Sequence, residues 1–401
     1  MKPSRVALVA SIVALVLASP VFSQDNKLRL ITWADYVPAD VVAQFKKETG
    51  IDVEITLSNN EEMISKLRAT GGAGFDLAQP SQDRIIGPQQ EFGIYKPMDM
   101  SKIKTELFIP SMLDATKKNT TLKGQVYGLP HIWGTDGLVV NTKLAKVPKT
   151  FAQLEKEALA FKKKGSGNLA IAVQQGAGGD AYHMYPFFSG LGGYIFGTNS
   201  AGNLDPSNIG VANSTFIKNA PLVDKWNKEG LISSKVDGAA AQNAFLKGQA
   251  AFWITGPWNS DTLKKSGLKF KVIQMPAIVK PSVPFLGVQG FMVTKFANLH
   301  GVGGAATDLV TNYLATPSAQ TQLAAANGRP PANVKAHSSD PVLAQFSAAS
   351  KGGVPMPNIP QMNSVWGDLG QAWVKSTKGA GATPAAVAFK TAARAIADKI
   401  G

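Results

Sequence analysis

The stretch Lys27-Leu-Arg-Leu-Ile-Thr-Trp33-Ala-Asp35-Tyr36-Val-Pro-Ala-Asp-Val-Val-Ala-Gln-Phe-Lys-Lys-Glu-Thr-Gly50-Ile-Asp-Val-Glu-Ile-Thr-Leu57 decides the fold class. Lys27 to Trp33 reads as a strand. Val37 to Thr49 carries a helical pattern that Gly50 ends, and Ile51, Val53, Ile55 and Leu57 alternate as a second strand does. Strand, helix and strand within about thirty residues make a parallel βαβ unit, because parallel strands need a long crossover.

A second unit follows. Ile64 and Leu67 mark a helix closed by Gly71-Gly72, Phe75 to Gln79 reads as a buried strand, and Pro80-Ser81-Gln82-Asp83-Arg84 is the loop at its end. Ligands of open α/β sheets bind at the carboxyl ends of the strands, so Trp33 to Tyr36 and Ser81 to Arg84 are placed to face a cleft. The same alternation resumes with a helix from Thr150 to Lys163, a strand from Leu169 to Val173, and Gly176-Ala-Gly-Gly-Asp180 opening a helix. Further on come a helix from Phe216 to Glu229, a strand from Ala250 to Ile254 running into Thr255-Gly-Pro-Trp258, and a strand from Gln289 to Val293. The class is therefore α/β, and 401 residues suffice for two lobes.

Lys2 and Arg5 precede an apolar run from Val6 to Leu17, and Ser19-Pro20 then breaks it. That pattern predicts a secretory signal over residues 1–23, cleaved before Gln24, too short to span a bilayer. The chain has no cysteine, which excludes disulfides and a lipid-modified cysteine, so a freely diffusing periplasmic protein without a lipid anchor is expected. Removing Lys2 and Arg5 takes the formal charge from +14 to +12. The lysines are scattered, and the densest run, Lys162 to Lys164, closes a helix where cations suit the dipole. A solvated surface explains them better than a nucleic-acid partner, and none is expected.

Near the C-terminus, the three prolines of Val354-Pro-Met-Pro-Asn-Ile-Pro360 forbid a regular element, after which Met362, Val365, Leu369 and Trp373 form one helical stripe. Trp366 lies at the edge of that stripe, and spacing alone leaves open whether it is core or a stacking platform. Met356-Pro-Asn-Ile-Pro-Gln-Met362 followed by Trp366 resembles the C-terminal part of periplasmic maltodextrin-binding proteins, in which the tryptophan stacks on a glucose ring. The run from Asp180-Ala-Tyr182 to Gly192-Gly-Tyr194 and the Gly256-Pro-Trp258 triplet are similar to the same family. The resemblance implies that Asp180 and Tyr182 hold the sugar and that Trp258 stacks on it. It also places Asp83 and Arg84 where that family hydrogen-bonds hydroxyls. Pro80 and Gly134 depart from its pattern, standing where it has a tryptophan and an acid. Ile31-Thr-Trp-Ala-Asp-Tyr-Val-Pro38, Phe75-Asp-Leu-Ala-Gln-Pro-Ser81 and Leu129-Pro-His-Ile-Trp-Gly-Thr-Asp-Gly137 instead resemble polyamine-binding periplasmic proteins. There the residues matching Trp33, Tyr36 and Ser81 contact the ligand. Capping of a core strand explains Trp33 and Tyr36 equally well.

No His-Glu-x-x-His, Gly-x-Ser-x-Gly or cysteine nucleophile is present, so a periplasmic hydrolase is a remote alternative and no cofactor or metal is expected. Both resemblances point to the extracellular solute-binding proteins of ATP-driven (ABC) importers, family 1. They imply two hinged lobes, each with a mainly parallel sheet, that close on a solute, and an inner-membrane permease as partner. By that resemblance residues 24–132 with 285–338 form the N-terminal lobe and 137–281 with 339–401 the C-terminal lobe. The expected binding set is Trp33, Asp35, Tyr36, Ser81, Asp83, Arg84, Asp180, Tyr182, Trp258 and Trp366, in a monomer. Arg84 and the net positive charge favour a sugar or sugar-like polyol over the alternative, a polyamine, which needs carboxylates such as Asp35, Asp83, Asp136 and Asp180 around its ammonium groups.

Overall fold

The opening βαβ unit forms as its pattern requires. In a computed structural model, which describes residues 26–34, 36–336, 338–350 and 352–401, Lys27–Thr32 pairs in parallel with Asp52–Leu57 from Lys27↔Asp52 to Thr32↔Leu57. The helix between them, Ala39–Thr49, buries Val41 and Phe45. It stops at Gly50, whose φ of 73° is the left-handed conformation that lets its N–H bond back to Lys46 O. Asn59 then caps Asn60–Thr70 by accepting from Glu62 N–H, a cap that contributes about 1 kcal/mol. Leu77–Ala78 adds a third parallel strand, and Met292–Val293 returns antiparallel beside it. Leu28, Leu30, Phe45 and Leu77 pack there against Phe291, Val293 and Leu309.

A second core begins after the chain leaves this sheet. Phe187, Phe188, Phe216, Trp226 and Phe389 are gathered around Leu369 and Trp373 of the Trp366–Thr377 helix. Its sheet departs from the parallel expectation. Gly137–Asn141 is central, and Phe252–Thr255 and Phe270–Ile273 both pair antiparallel with it. The parallel strand expected at Leu169 to Val173 reduces to bridges at Leu169↔Ala250 and Ala172↔Trp253, because Ile171 N–H bonds instead to Leu231 O and interrupts the ladder. The expected helix Phe216 to Glu229 divides into Ser214–Asn219 and Pro221–Glu229, since Pro221 has no N–H to carry the ladder on. Gly176-Ala-Gly-Gly179 opens turns, and the helix starts only at Tyr185.

A three-stranded sheet lies where the chain passes from one core to the other. Phe285–Gln289 is its middle strand, antiparallel to Ile132–Thr135 and parallel to Val354–Pro355. Leu129 packs in the first core and Leu138 in the second, and on the return Phe285 packs in the second and Phe291 in the first. The signal segment proposed for residues 1–23 and Asp35 lie outside the described residues. Among those described, no helix is long and apolar enough to cross a membrane.

Candidate functional site

Strand ends from the first core supply one wall of a cavity. Trp33 follows the Lys27–Thr32 strand, and its Nε1–H donates to Gln79 O at 3.1 Å, which ties one strand end to the next. Its ring stacks on Tyr36 with centroids 6.2 Å apart. Tyr36 is buried at 5% exposure and supports Trp33 from behind. The loop after Leu77–Ala78 is held rigidly. Buried Gln82 donates to Leu129 O at 3.2 Å and accepts from Thr116 Oγ1 at 2.8 Å. Ser81 N–H donates to Asn60 Oδ1 at 3.0 Å, and Ser81 Oγ accepts from Gln289 Nε2 at 3.3 Å. With Gln82 turned inward, Ser81, Asp83 and Arg84 line the cavity.

The facing wall is aromatic. Phe252–Thr255 runs into Gly256-Pro-Trp258, where a Cβ on residue 256 would sit 2.1 Å from the Trp258 ring, so glycine alone lets the indole fold back. Tyr182 packs 6.1 Å from Trp258. Trp366 opens its helix one position off the buried stripe of Met362, Val365, Leu369 and Trp373, and it remains half-buried with one side on the cavity. Phe285 meets it edge-on at 5.7 Å. At the floor, Gly134 and Gly287 are opposite each other in the ladder. A Cβ at Gly134 would touch Pro257 at 3.4 Å, so the missing acid at this position leaves a flat floor.

The cavity, about 410 Å³, brings together Trp33, Ser81, Asp83, Arg84, Tyr182, Trp258 and Trp366 from the expected set. Tyr36 and Asp180 do not line it. Sequence reasoning missed Asn60, His183, Gln289, Arg329 and Met356, which also face it. Of these, Met356 opens the run quoted above and His183 stands three residues after Asp180, the spacing at which side chains meet. A second groove of about 900 Å³, toward Ile64 and Arg68, shares Arg84 and Trp366 with the first.

Under the aromatic wall lies a charged cluster. His183 Nδ1 is 2.9 Å from Asp180 Oδ2, its backbone N–H donates to Asp180 Oδ1 at 2.9 Å, and its Nε2 is 3.7 Å from Asp136 Oδ1. Burial opposes charge on His183, but Asp136 and Asp180 outweigh it and hold its pKa up at about 9. Asp180 feels the same burial, and its bond from His183 overrides that to keep its carboxyl below the usual range. Asp136 is 3% exposed with no hydrogen bond to either carboxyl oxygen; burial pushes its pKa up to about 7, against the pull of His183. Asp180, expected on a ligand, orients His183 here. Among the described residues no group of three or more His, Asp or Glu is arranged to hold a metal ion.

A cavity lined by ring faces on one side and by donors and acceptors on the other is built for a polar solute with apolar faces. The galactooligosaccharide-binding protein of Bacillus subtilis is 29% identical to this chain over 369 residues, 86% of this chain and 83% of that one. The maltodextrin-binding protein MdxE of the same organism is 27% identical over 401 residues, 91% and 90% of the two chains. A shorter match, 29% over 140 residues and 35% of this chain and 37% of the other, is to the putrescine-binding periplasmic protein PotF of Escherichia coli. The fold is that of the Thermus thermophilus maltotriose binding protein bound with maltotriose, at a TM-score of 0.78 and 24% identity, over 93% of this chain and 100% of that one. The sequence profile of the bacterial extracellular solute-binding proteins matches residues 40–349, and the chain belongs to that family.

Proposed function

We propose that this protein captures a saccharide between its two lobes and delivers it to a membrane permease of the ABC type. The observation that carries this reading is the opposition of Trp258, Trp366 and Tyr182 to Asp83, Arg84 and Gln289 around one cavity. A pyranose has an apolar face that stacks on indole and a rim of hydroxyls that both donate and accept. The galactooligosaccharide- and maltodextrin-binding relatives support the same ligand class. A polyamine fits less well, because a ligand that only donates would meet Arg84 and Arg329.

The lobes proposed are residues 24–132 with 285–338 and 137–281 with 339–401, closing by rotation about the sheet of Ile132–Thr135, Phe285–Gln289 and Val354–Pro355. The working form is a periplasmic monomer after removal of residues 1–23. Its role is binding without turnover: His183 faces a carboxylate on each side, and no hydroxyl nucleophile is bonded to its ring among the described residues.

A thermal-shift screen with maltotriose, galactobiose, mannitol and putrescine tests the reading. A saccharide at about a hundred times its dissociation constant stabilises by about 2.7 kcal/mol. Stabilisation by putrescine alone, or release of monosaccharide during the incubation, would overturn it.

A further inference from the structure

Arg329 is the feature that capture of a neutral sugar does not explain. Its guanidinium lines the cavity, with its Cζ over two aromatic rings, 5.2 Å from the Tyr36 centroid and 5.7 Å from that of Trp258. Its backbone is fixed on both sides. Gly328 has a φ of +65° and approaches so closely that a Cβ there would lie 2.2 Å from Ser260 Oγ; beyond, Pro330 O accepts from Trp133 N–H and Pro331 O from Trp133 Nε1–H at 3.2 Å. The N–H donors of the guanidinium fork are the part that can bond a ligand.

The other charges of the site have partners. His183 lies between Asp180 at 2.9 Å and Asp136 at 3.7 Å, and Asp83 and Arg84 are chain neighbours on one wall. Arg329 forms no ion pair with a carboxylate among the described residues, although it is half-buried. Closing two lobes around it would remove water from a cation, a cost that a neutral ring offsets poorly and a ligand anion offsets well. A fixed planar fork of N–H donors matches a carboxylate in two parallel bonds. The chain without residues 1–23 carries a formal +12, which favours encounter with an anion.

We propose that the solute is an acidic saccharide, a sugar bearing a carboxylate of the uronic acid type. Its ring stacks on the Trp258 and Trp366 wall and its carboxylate docks on the N–H edge of Arg329. This deepens the saccharide reading and rests on it.

The test is calorimetric titration of the protein with galacturonic acid and digalacturonic acid against galactose and galactobiose, and with glucuronic acid against glucose. At about 20 mM salt an acid should bind at least about tenfold tighter than its neutral counterpart, and the advantage should shrink near 500 mM. Arg329→Gln should abolish the preference, and Arg329→Lys, which keeps charge without the fork, should retain part of it. The salt and ligand comparisons on the unaltered protein need no variant, and the melting temperature of each variant checks that it folds. A neutral sugar that binds as tightly as its acid, or a preference that survives in Arg329→Gln, overturns the proposal and leaves saccharide capture standing. Failure of every sugar, neutral and acidic, with a response to putrescine, overturns both.

Discussion

Asp136 gives the sharpest prediction, because a carboxyl this buried with no hydrogen bond is costly when ionised. Its folded pKa of about 7 lies above its unfolded value of 3.8. For a carboxyl shifted upward, the folded state binds the proton more tightly, so its stabilising contribution is present below the folded pKa and is lost as pH rises through it. Between pH 6 and pH 8 the folded carboxyl passes from mostly protonated to mostly ionised while the unfolded one stays ionised, a loss on the order of 1 kcal/mol. Asp136→Asn keeps the shape of the protonated acid and cannot ionise. It should lose less stability than the parent between pH 6 and pH 8, by on the order of 1 kcal/mol. His183 acts in the same direction: with its pKa raised from 6.5 to about 9, its contribution is full below 6.5 and lost as pH rises toward 9. Removing Asp136 also relaxes that shift, which flattens the variant's profile further. Urea unfolding followed through the seven tryptophans at pH 6 and pH 8 measures the difference. If Asp136→Asn loses as much stability over that interval as the parent does, the buried carboxylate is not the source of the pH dependence.

Three further outcomes follow from the geometry. Trp366→Ala should weaken saccharide binding by about tenfold with little change in melting temperature, since the ring lies off the buried stripe; a collapsed melting transition with unaltered affinity would make it a core residue. Asp83→Asn and Arg84→Gln should each weaken binding of a neutral sugar with little salt dependence in calorimetry, whereas tighter binding of putrescine by Arg84→Gln would favour a polyamine site. Gly179→Ala should cost upwards of about 2 kcal/mol in urea unfolding, because its φ is +75° and a Cβ there would lie 2.3 Å from the Gly370 backbone; an unchanged midpoint would refute the close approach.

Local chemistry decided much of this protein before any folding. The opening βαβ unit was legible because helix and strand periods differ and Gly50 and Gly71 mark where helices must end. The placement of Trp33, Ser81, Asp83 and Arg84 on a cleft followed from their position at strand ends, and the stripe from Met362 to Trp373 reads directly as a buried helix face. What tertiary structure alone decided is where side chains far apart in the chain meet. Spacing could not say whether Trp366 was core, and only the neighbouring cavity leaves it half-buried. The bond between Asp180 and His183 was set by which partner the fold brings within 2.9 Å. The antiparallel pairing of Gly137–Asn141 was hidden because a buried strand is apolar throughout, whichever way its neighbours run. Arg329 sits in what reads as an ordinary loop before two prolines. Its place over Tyr36 and Trp258 depends on segments that approach each other only when both cores and the sheet between them are complete.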